Sequence, residues 1–530
     1  MQAWIGVLIG CCAALGVVGC AGTVNPDGAR ASSRVGDASG GLRIGWAQAD
    51  ITPERPVLIA GQFHARISER TLDPLTATVL ALESVGDAPA GSRVVMVSCD
   101  LIGIHDDLRD AVREHLRVLA PDLDPTAVLF NATHTHTAPT TVVRPRYRPD
   151  LGEQAAATRP YGLDLDVMPA REYVAFASQR IAEAVQTAWR NREPGGIAFG
   201  LGQAVVGHNR LMAYADGRSR MYGKTSDPAF RNPEGSEDHS LRAMMTYDRH
   251  SRLTGLVVNV ACPSQVSEGL FEISADFWHD TRLELRRRFG NDVFVLAQAG
   301  AAGDQTPRLL IGPVAEQRMQ KLAGRTPRQE IAVRIADAVA AILTLAKKEV
   351  LWKAPLRHRV ETLELPRRII SAEDAARARE SAGKAHESYE ALLREIEANP
   401  GMRREARWYV PVSRAYGYWK RHERVVDRFA IQQAHPTFPV ELHAVRLGPL
   451  AFATNPFELY LDYGFQMQTR SKAVQTFVVQ LAGPGSYLPT ERSIAGGGYG
   501  AVPASTETGP EGGRLLVDWT VQTINALWEE

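Results

Sequence analysis

Apolar and polar positions along this chain fall into blocks of two different periods. Residues 42–53, Leu-Arg-Ile-Gly-Trp-Ala-Gln-Ala-Asp-Ile-Thr-Pro, alternate with a strand-like period of two. Segments 73–83 and 92–100 predict two further strands, and 126–131 predicts a short one that opens on an apolar run, Ala127-Val-Leu-Phe130. Leu108, Val112, Leu116 and Leu119 share one helical face and predict a helix over 106–119. The same reading predicts helices at 171–190, 278–289, 326–347 and 515–529, and strands at 196–206, 254–261, 292–297, 442–454 and 473–481. Thr326-Pro-Arg-Gln329 has the form of a capping box with proline in the first turn. Residues 371–398 and an Arg-rich segment to about 430 predict a helical hairpin inserted in the domain, with its charges on a solvated face. Segments 140–168 and 214–240 show no period and predict long surface loops. The expected fold is α/β, with mixed β-sheets flanked by helices.

Composition narrows the class. The chain has 530 residues, 45% hydrophobic and 23% charged, as expected of a globular protein with a large core. The formal net charge is zero, which argues against a nucleic-acid partner held by phosphate neutralisation. The apolar run 5–18 has signal-peptide length and ends in Val17-Val18-Gly19-Cys20. That ending resembles a bacterial lipobox with Cys20 as the lipidated residue. Residues 1–6 carry no Lys or Arg, so a secretory signal or an uncleaved anchor stays open. The expected organisation is a signal at 1–20, a Gly-, Ala- and Ser-rich tether at 21–41 and a folded body at 42–530. An exported protein follows, anchored to the membrane through Cys20 or else secreted or periplasmic. Only Cys99 and Cys262 fall in the folded body, where a disulfide between them is one alternative.

Candidate chemistry starts at Asn131-Ala-Thr-His-Thr-His-Thr-Ala-Pro139. In extended chain, His134 and His136 point to the same side, so both imidazoles could serve as ligands to one metal ion. The pair could equally be two hydrogen-bonded loop histidines. Partners lie at equivalent places along the chain. Cys262 follows the strand at 254–261, and Gly303-Asp-Gln-Thr306 follows that at 292–297. Glu458 follows the end of 442–454 and is expected to open a helix, and Tyr487 follows 473–481. All sit past the C-terminal ends of strands, the edge at which α/β sheets bind ligands.

These stretches resemble the catalytic domain of neutral (non-lysosomal) ceramidases, zinc amidases that cleave the amide of ceramide. The resemblance runs from about Gly45 to the C-terminus. It rests on Ala49-Asp-Ile-Thr-Pro53, Thr133-His-Thr-His136, the Gly-Asp-x-(Ser/Thr)-Pro turn at 303–307, Asn455-Pro-Phe-Glu458, and Tyr487-Leu-Pro-Thr490 with Tyr499 beyond. It implies Zn2+ held by His134, Glu458 and Tyr487, with His136 contacting substrate or the metal's water. It further implies Tyr499 polarising the substrate carbonyl, Arg210 as an active-site arginine and Asp276 in a polar turn of the site. Two positions depart from the pattern. Cys262 stands where the family has a second histidine ligand, and is either a thiolate ligand or a small buried residue. Thr306 replaces the serine regarded as catalytic and keeps the hydroxyl. The immunoglobulin-like domain that follows in ceramidases is not expected here. His208 and His279 are read as hydrogen-bonding histidines. The expected function is zinc-dependent hydrolysis of a ceramide-like N-acyl amide by metal-activated water. The alternatives are hydrolysis of another envelope amide or ester, or a non-catalytic envelope binding protein.

Overall fold

The computed structural model describes residues 41–86, 93–143 and 159–529. The expected signal, Cys20 and all but the last residue of the tether lie outside the described residues. Eight strands form the larger sheet: β1 (Gly41–Asp50), β2 (Thr76–Val85), β3 (Arg93–Cys99), β4 (Val128–Ala132), β5 (Glu193–Gln203), β6 (Ser240–Asp248), β7 (Leu253–Val260) and β8 (Phe294–Ala299). Their order is β8-β7-β6-β5-β1-β2-β3-β4. Only the outermost pairs, β7 with β8 and β3 with β4, are parallel. A smaller sheet has the order β9 (Leu356–Pro366), β10 (Thr437–Leu447), β11 (Leu450–Thr454), β12 (Gln475–Val479).

The two sheets pack face to face, because the strand period sends alternate residues to opposite sides. Leu80 and Leu82 of β2 join Leu356, Val445, Phe452 and Phe477 between the sheets. Val79 and Ala81 face the other way, towards α1 (Asp106–Leu119) and α2 (Ala170–Arg190). Full burial of each such leucine is worth about 1.5–3 kcal/mol. The other half of that outer face is covered by α3 (Phe277–Phe289) and α4 (Pro327–Ala346). Thr326 caps α4 in a complete capping box, as its sequence predicts. The hairpin is α5 (Ala372–Ala398) and α6 (Tyr409–Ile431). The outer face of the small sheet is covered by α7 (Leu461–Arg470) and α8 (Pro510–Ala526). The result is four layers, α/β/β/α, in line with the expected mixed α/β class.

The layers meet at one edge. The Ala132 N–H at the end of β4 donates to the Leu481 carbonyl at 3.3 Å, and the Gln480 N–H donates to the Ala299 carbonyl at 3.1 Å. The ends of β4, β8 and β12 are thus stitched together, and the loops that follow them share one neighbourhood.

Three sequence expectations change. The strand expected at 442–454 is the hairpin β10–β11, reversed at Gly448, whose φ of 58° suits glycine. The loop expected at 214–240 holds part of a three-stranded sheet, Phe230–Pro233 with Leu211–Tyr214 and Ser219–Met221. Its strands are three or four residues long, too short to register as a period. Cys99 and Cys262 are buried free thiols, so the disulfide alternative falls away. Among the described residues, no helix is long and apolar enough to cross a membrane.

Candidate metal centre and active-site cavity

The His-x-His loop is not extended at its first histidine. His134 has φ 64°, a left-handed conformation that costs a β-carbon residue of order 1–2 kcal/mol. The bend still brings the rings together, with Nε2 to Nε2 at 3.3 Å and ring centroids 4.9 Å apart in an edge-on arrangement. His134 Nδ1 lies 2.6 Å from the Ile102 carbonyl and donates to it. That bond fixes the tautomer and leaves the Nε2 lone pair aimed into the site. The buried Arg66 holds the loop from behind, donating to the carbonyls of His136 at 2.6 Å and Glu268 at 2.7 Å. Gly61, with φ 98°, lies against the His136 ring, where a Cβ would come within 2.5 Å of Nδ1.

Glu458 does not open a helix. Glu458–Leu459 is a two-residue strand paired in parallel with Tyr487–Leu488, in the register Glu458 opposite Tyr487. That register sets carboxylate and phenol side by side. Glu458 Oε2 stands 3.5 Å from His134 Nε2. The chain can pass so close to the turn at 303 only because Gly303 lacks a Cβ, which would sit 2.2 Å from the Glu458 carbonyl oxygen.

Arg210 completes this group. Its Nη2 donates to the Gly303 carbonyl at 2.7 Å, to Tyr487 Oη at 3.2 Å and to Glu458 Oε2 at 3.4 Å. Its Nη1 reaches Gln265 Oε1 at 3.3 Å, and Gln265 Nε2 lies 2.7 Å from His136 Nε2. Gln265 was not anticipated. It is three residues after Cys262, and its side chain, not the thiol, faces the histidines.

Cys262 itself is turned away. Its thiol donates towards the carbonyls of Val206 at 3.6 Å and Pro263 at 3.5 Å, within an apolar cluster. Burial pushes the thiol pKa well up, and nearby Asp276 adds to this, so the protonated form is favoured. The cysteine is therefore placed as a packed core residue, the second of the two roles its sequence left open. The turn still borders the site, since Ser264 Oγ donates to the Thr133 carbonyl at 2.7 Å. Asp276, at φ 55°, braces the same turn by accepting the Ser267 N–H at 2.6 Å and the Phe277 N–H at 2.7 Å.

Thr306 is buried, and its hydroxyl accepts from Tyr222 Oη at 3.4 Å and from the Arg308 N–H at 3.2 Å. Tyr222, not Thr306, lines the cavity. That cavity, of about 1100 Å³, has His136, Arg210, Gln265, Tyr487 and Tyr499 on its wall. Val57, Leu58, Val142, Leu165 and Met168 supply apolar lining. Tyr499 packs edge-on against Tyr487 at 5.8 Å and Phe63 at 6.0 Å. The inserted hairpin reaches the same place, with Arg421 of α6 4.7 Å from the Tyr499 ring centre and Tyr418 stacked on Phe63 at 5.1 Å. It also lines the cavity through Arg421 and Arg424.

Electrostatics sorts the roles. Burial pushes the Glu458 carboxyl up, but His134, Arg210 and a hydrogen bond from Tyr487 outweigh it, and its pKa lies below the usual range. Burial lowers the His136 pKa well below its ordinary value, with His134, Arg66 and Arg210 adding to the effect, so the imidazole is neutral. Burial raises Tyr487 and Tyr499, so both remain phenols at neutral pH. An ionised carboxylate and an imidazole Nε2 at 3.5 Å stand about one tetrahedral edge apart for zinc, roughly 3.4 Å with bonds of ~2.1 Å. With Tyr487 Oη beside them, the donor set His134, Glu458 and Tyr487 fits such an ion; the Cys262 thiol does not belong to it.

The layered architecture is similar to that of solved ceramidase structures. The crystal structure of neutral ceramidase from Pseudomonas aeruginosa is similar at a TM-score of 0.63 and 16% identity, over 92% of this chain and 75% of that one. A ceramidase complexed with C2 is similar at 0.61 and 16%, over 92% of this chain and 76% of that one. At this identity the likeness is one of fold. No family model and no curated protein matches the sequence.

Proposed function

We propose that the protein is a zinc-dependent hydrolase that cleaves the amide of an N-acylated, ceramide-like lipid. The observation that carries this reading is the meeting of His134 Nε2 and Glu458 Oε2 at 3.5 Å, directly behind His136, Arg210 and Tyr487, which line a cavity with both polar and apolar walls. His134, Glu458 and Tyr487 would hold the ion, which supplies a water of lowered pKa and a polarised carbonyl. The rest falls to the chain itself. The apolar wall takes the acyl chain, in keeping with pockets that bury most of a ligand against hydrophobic side chains. Arg210 and the phenol of Tyr499 are donors for negative charge developing on the carbonyl oxygen. His136 Nε2, beside Gln265, takes a proton from the attacking water and passes it to the departing amine. Thr306 acts through Tyr222, whose hydroxyl it holds. The apolar segment ending in Cys20 supports a place at the cell envelope, where such lipids are met.

A second substrate reading has its own support. Arg159, Arg171, Arg210, Arg421 and Arg424 line the cavity against one carboxylate, Glu268, among the described residues. This balance favours an N-acyl substrate with an anionic group over neutral ceramide. Turnover of ceramide and of N-acyl amino acids, with and without chelator, tests both. Chelator-sensitive cleavage of ceramide supports the first substrate, and cleavage of the acyl amino acids alone supports the second. Hydrolysis that survives both chelator and His134→Ala refutes the zinc mechanism; no cleavage of either substrate refutes both readings.

A further inference from the structure

A second cluster of imidazole and carboxylate side chains lies outside the cavity lining. His208 belongs to a two-residue strand, His208–Asn209, paired antiparallel with Gln305–Thr306. Glu237 and His239 come from the segment that leads into β6. His208 Nδ1 lies 3.2 Å from Glu237 Oε2, and His239 Nε2 lies 3.0 Å from the same oxygen. The imidazoles are set edge-on with centroids 5.8 Å apart. All three ligand atoms fall within 4.8 Å of one another, and among the described residues this is the His, Cys, Asp and Glu group that meets that condition.

We propose that His208, Glu237 and His239 form a binding site for a divalent transition-metal ion of the zinc type, separate from the cavity cluster. The spacing supports it. Donors around one tetrahedral ion with ~2.1 Å bonds stand about 3.4 Å apart, so the observed 3.0 and 3.2 Å need to open by only a few tenths of an ångström. The donor chemistry supports it as well. Two imidazoles and one carboxylate suit zinc, cobalt or nickel, whereas calcium and magnesium take oxygen ligands. The carboxylate is already oriented, because Glu237 Oε1 accepts the Asn209 N–H at 3.1 Å, the kind of outer hydrogen bond that aims a ligand. Entry is open, since the side chains of Glu237 and His239 are 30% and 33% exposed. Three protein donors leave a position for water.

The place of the group in the fold gives the ion a role. His208 is two residues before Arg210 and directly opposite Thr306. An ion there would clamp the 237–239 segment to the strand that delivers Arg210, stiffening one wall of the cavity from outside.

Metal counting on the full-length protein tests this independently of any activity. Equilibrium dialysis against zinc chloride, followed by elemental analysis, is applied to wild type, His239→Ala, Glu237→Gln and Glu458→Gln. His239→Ala and Glu237→Gln are expected each to lose one zinc per chain relative to wild type, while Glu458→Gln keeps that zinc. Zinc is also expected to raise the Tm of wild type more than that of either variant, and calcium to raise neither. Should His239→Ala fail to fold, Glu237→Gln carries the test, since it keeps the shape and the Asn209 hydrogen bond. Equal zinc counts and equal Tm shifts in wild type and Glu237→Gln overturn the site. So does wild type that binds no zinc, or whose Tm responds equally to calcium.

Discussion

Of the groups in this molecule that combine two histidines with a glutamate, two are built to opposite ends. In the small sheet, His443 Nδ1 lies 3.0 Å from His358 Nε2 and its Nε2 lies 3.0 Å from Glu441 Oε1. Arg113 grips Glu441 through both guanidinium nitrogens at 2.8 Å, and the two rings stack at 5.2 Å. Both nitrogens of His443 are consumed and the carboxylate is neutralised by a bidentate partner. Behind the cavity wall, His134 uses only Nδ1 in a short hydrogen bond, while Nε2 faces His136 at 3.3 Å and Glu458 at 3.5 Å. Those distances are long for hydrogen bonds and right for donors around a shared ligand. Residue type does not separate structure from chemistry here; what separates them is whether the lone pairs are spent inside the protein.

Substitution at the two groups sets the largest contrast. Glu458→Gln and His134→Ala are expected to lower kcat/KM by about 10³-fold or more, because removing a metal ligand or an electrostatic anchor costs on that scale. His443→Leu is expected to cost roughly 2–3 kcal/mol of stability by leaving buried partners unsatisfied, with turnover per folded molecule within about two-fold of wild type. Steady-state kinetics and denaturant unfolding on the same preparations decide it. A catalytic loss at His443 as deep as that at His134 would break the distinction. Next in size is Arg210→Met. Arg210 contacts Glu458, Tyr487 and Gln265 and lines the cavity, and the expected loss is about 10²- to 10³-fold, mostly in kcat.

How far the sequence foretold this contrast depends on the residue. Strands and helices were legible wherever an apolar period ran long enough, as in α1, α4 and β7. The strand-end positions of His134, Glu458 and Tyr487 were legible for the same reason. The pairing of Glu458 with Tyr487 was not, because a two-residue parallel bridge between proline-flanked turns leaves no periodic trace. Nor was the direction of Cys262, since the turn's dihedral angles decide whether residue 262 or residue 265 faces the histidines. The three-stranded sheet at 211–233 does carry one sequence signal. Asp216-Gly217 is a hairpin dipeptide, and the Tyr214 N–H does close on the Arg218 carbonyl at 3.0 Å. Recognising that hairpin brings Glu237 and His239 closer to His208 than their separation in sequence suggests.

Acidification sharpens the contrast by a route that needs no substrate. Burial, with His443 beside it, pushes the His358 pKa down to about 3 from an ordinary 6.5. The stability linked to it is complete above pH 6.5 and is lost as pH falls through that window, because the unfolded chain binds a proton that the folded one refuses. Wild type is expected to lose up to about 4 kcal/mol of stability through this group between pH 6.5 and 3. His358→Phe is expected to show a shallower fall. Denaturant midpoints measured across that range check it, and parallel slopes would remove His358 as the cause.

The smallest effect concerns the hairpin, where the question of spent and unspent charge recurs within one helix. Arg421 is committed, donating to the Ala504 carbonyl at 3.4 Å and to the Ser505 hydroxyl at 2.6 Å, with its guanidinium over Tyr499. Arg424, three residues on, lines the same cavity and is exposed. An exposed charge acting through solvent is worth about 0.5–1 kcal/mol, which is roughly two- to five-fold in affinity. Arg424→Gln is therefore expected to raise KM for an anionic N-acyl amino acid by about that factor, with kcat unchanged and little effect on ceramide. Arg421→Gln should differ in kind, lowering kcat as well, because it loosens Tyr499. If both substitutions alter only KM, and do so equally for charged and neutral substrates, the hairpin acts as a passive wall and the arginines do not choose the substrate.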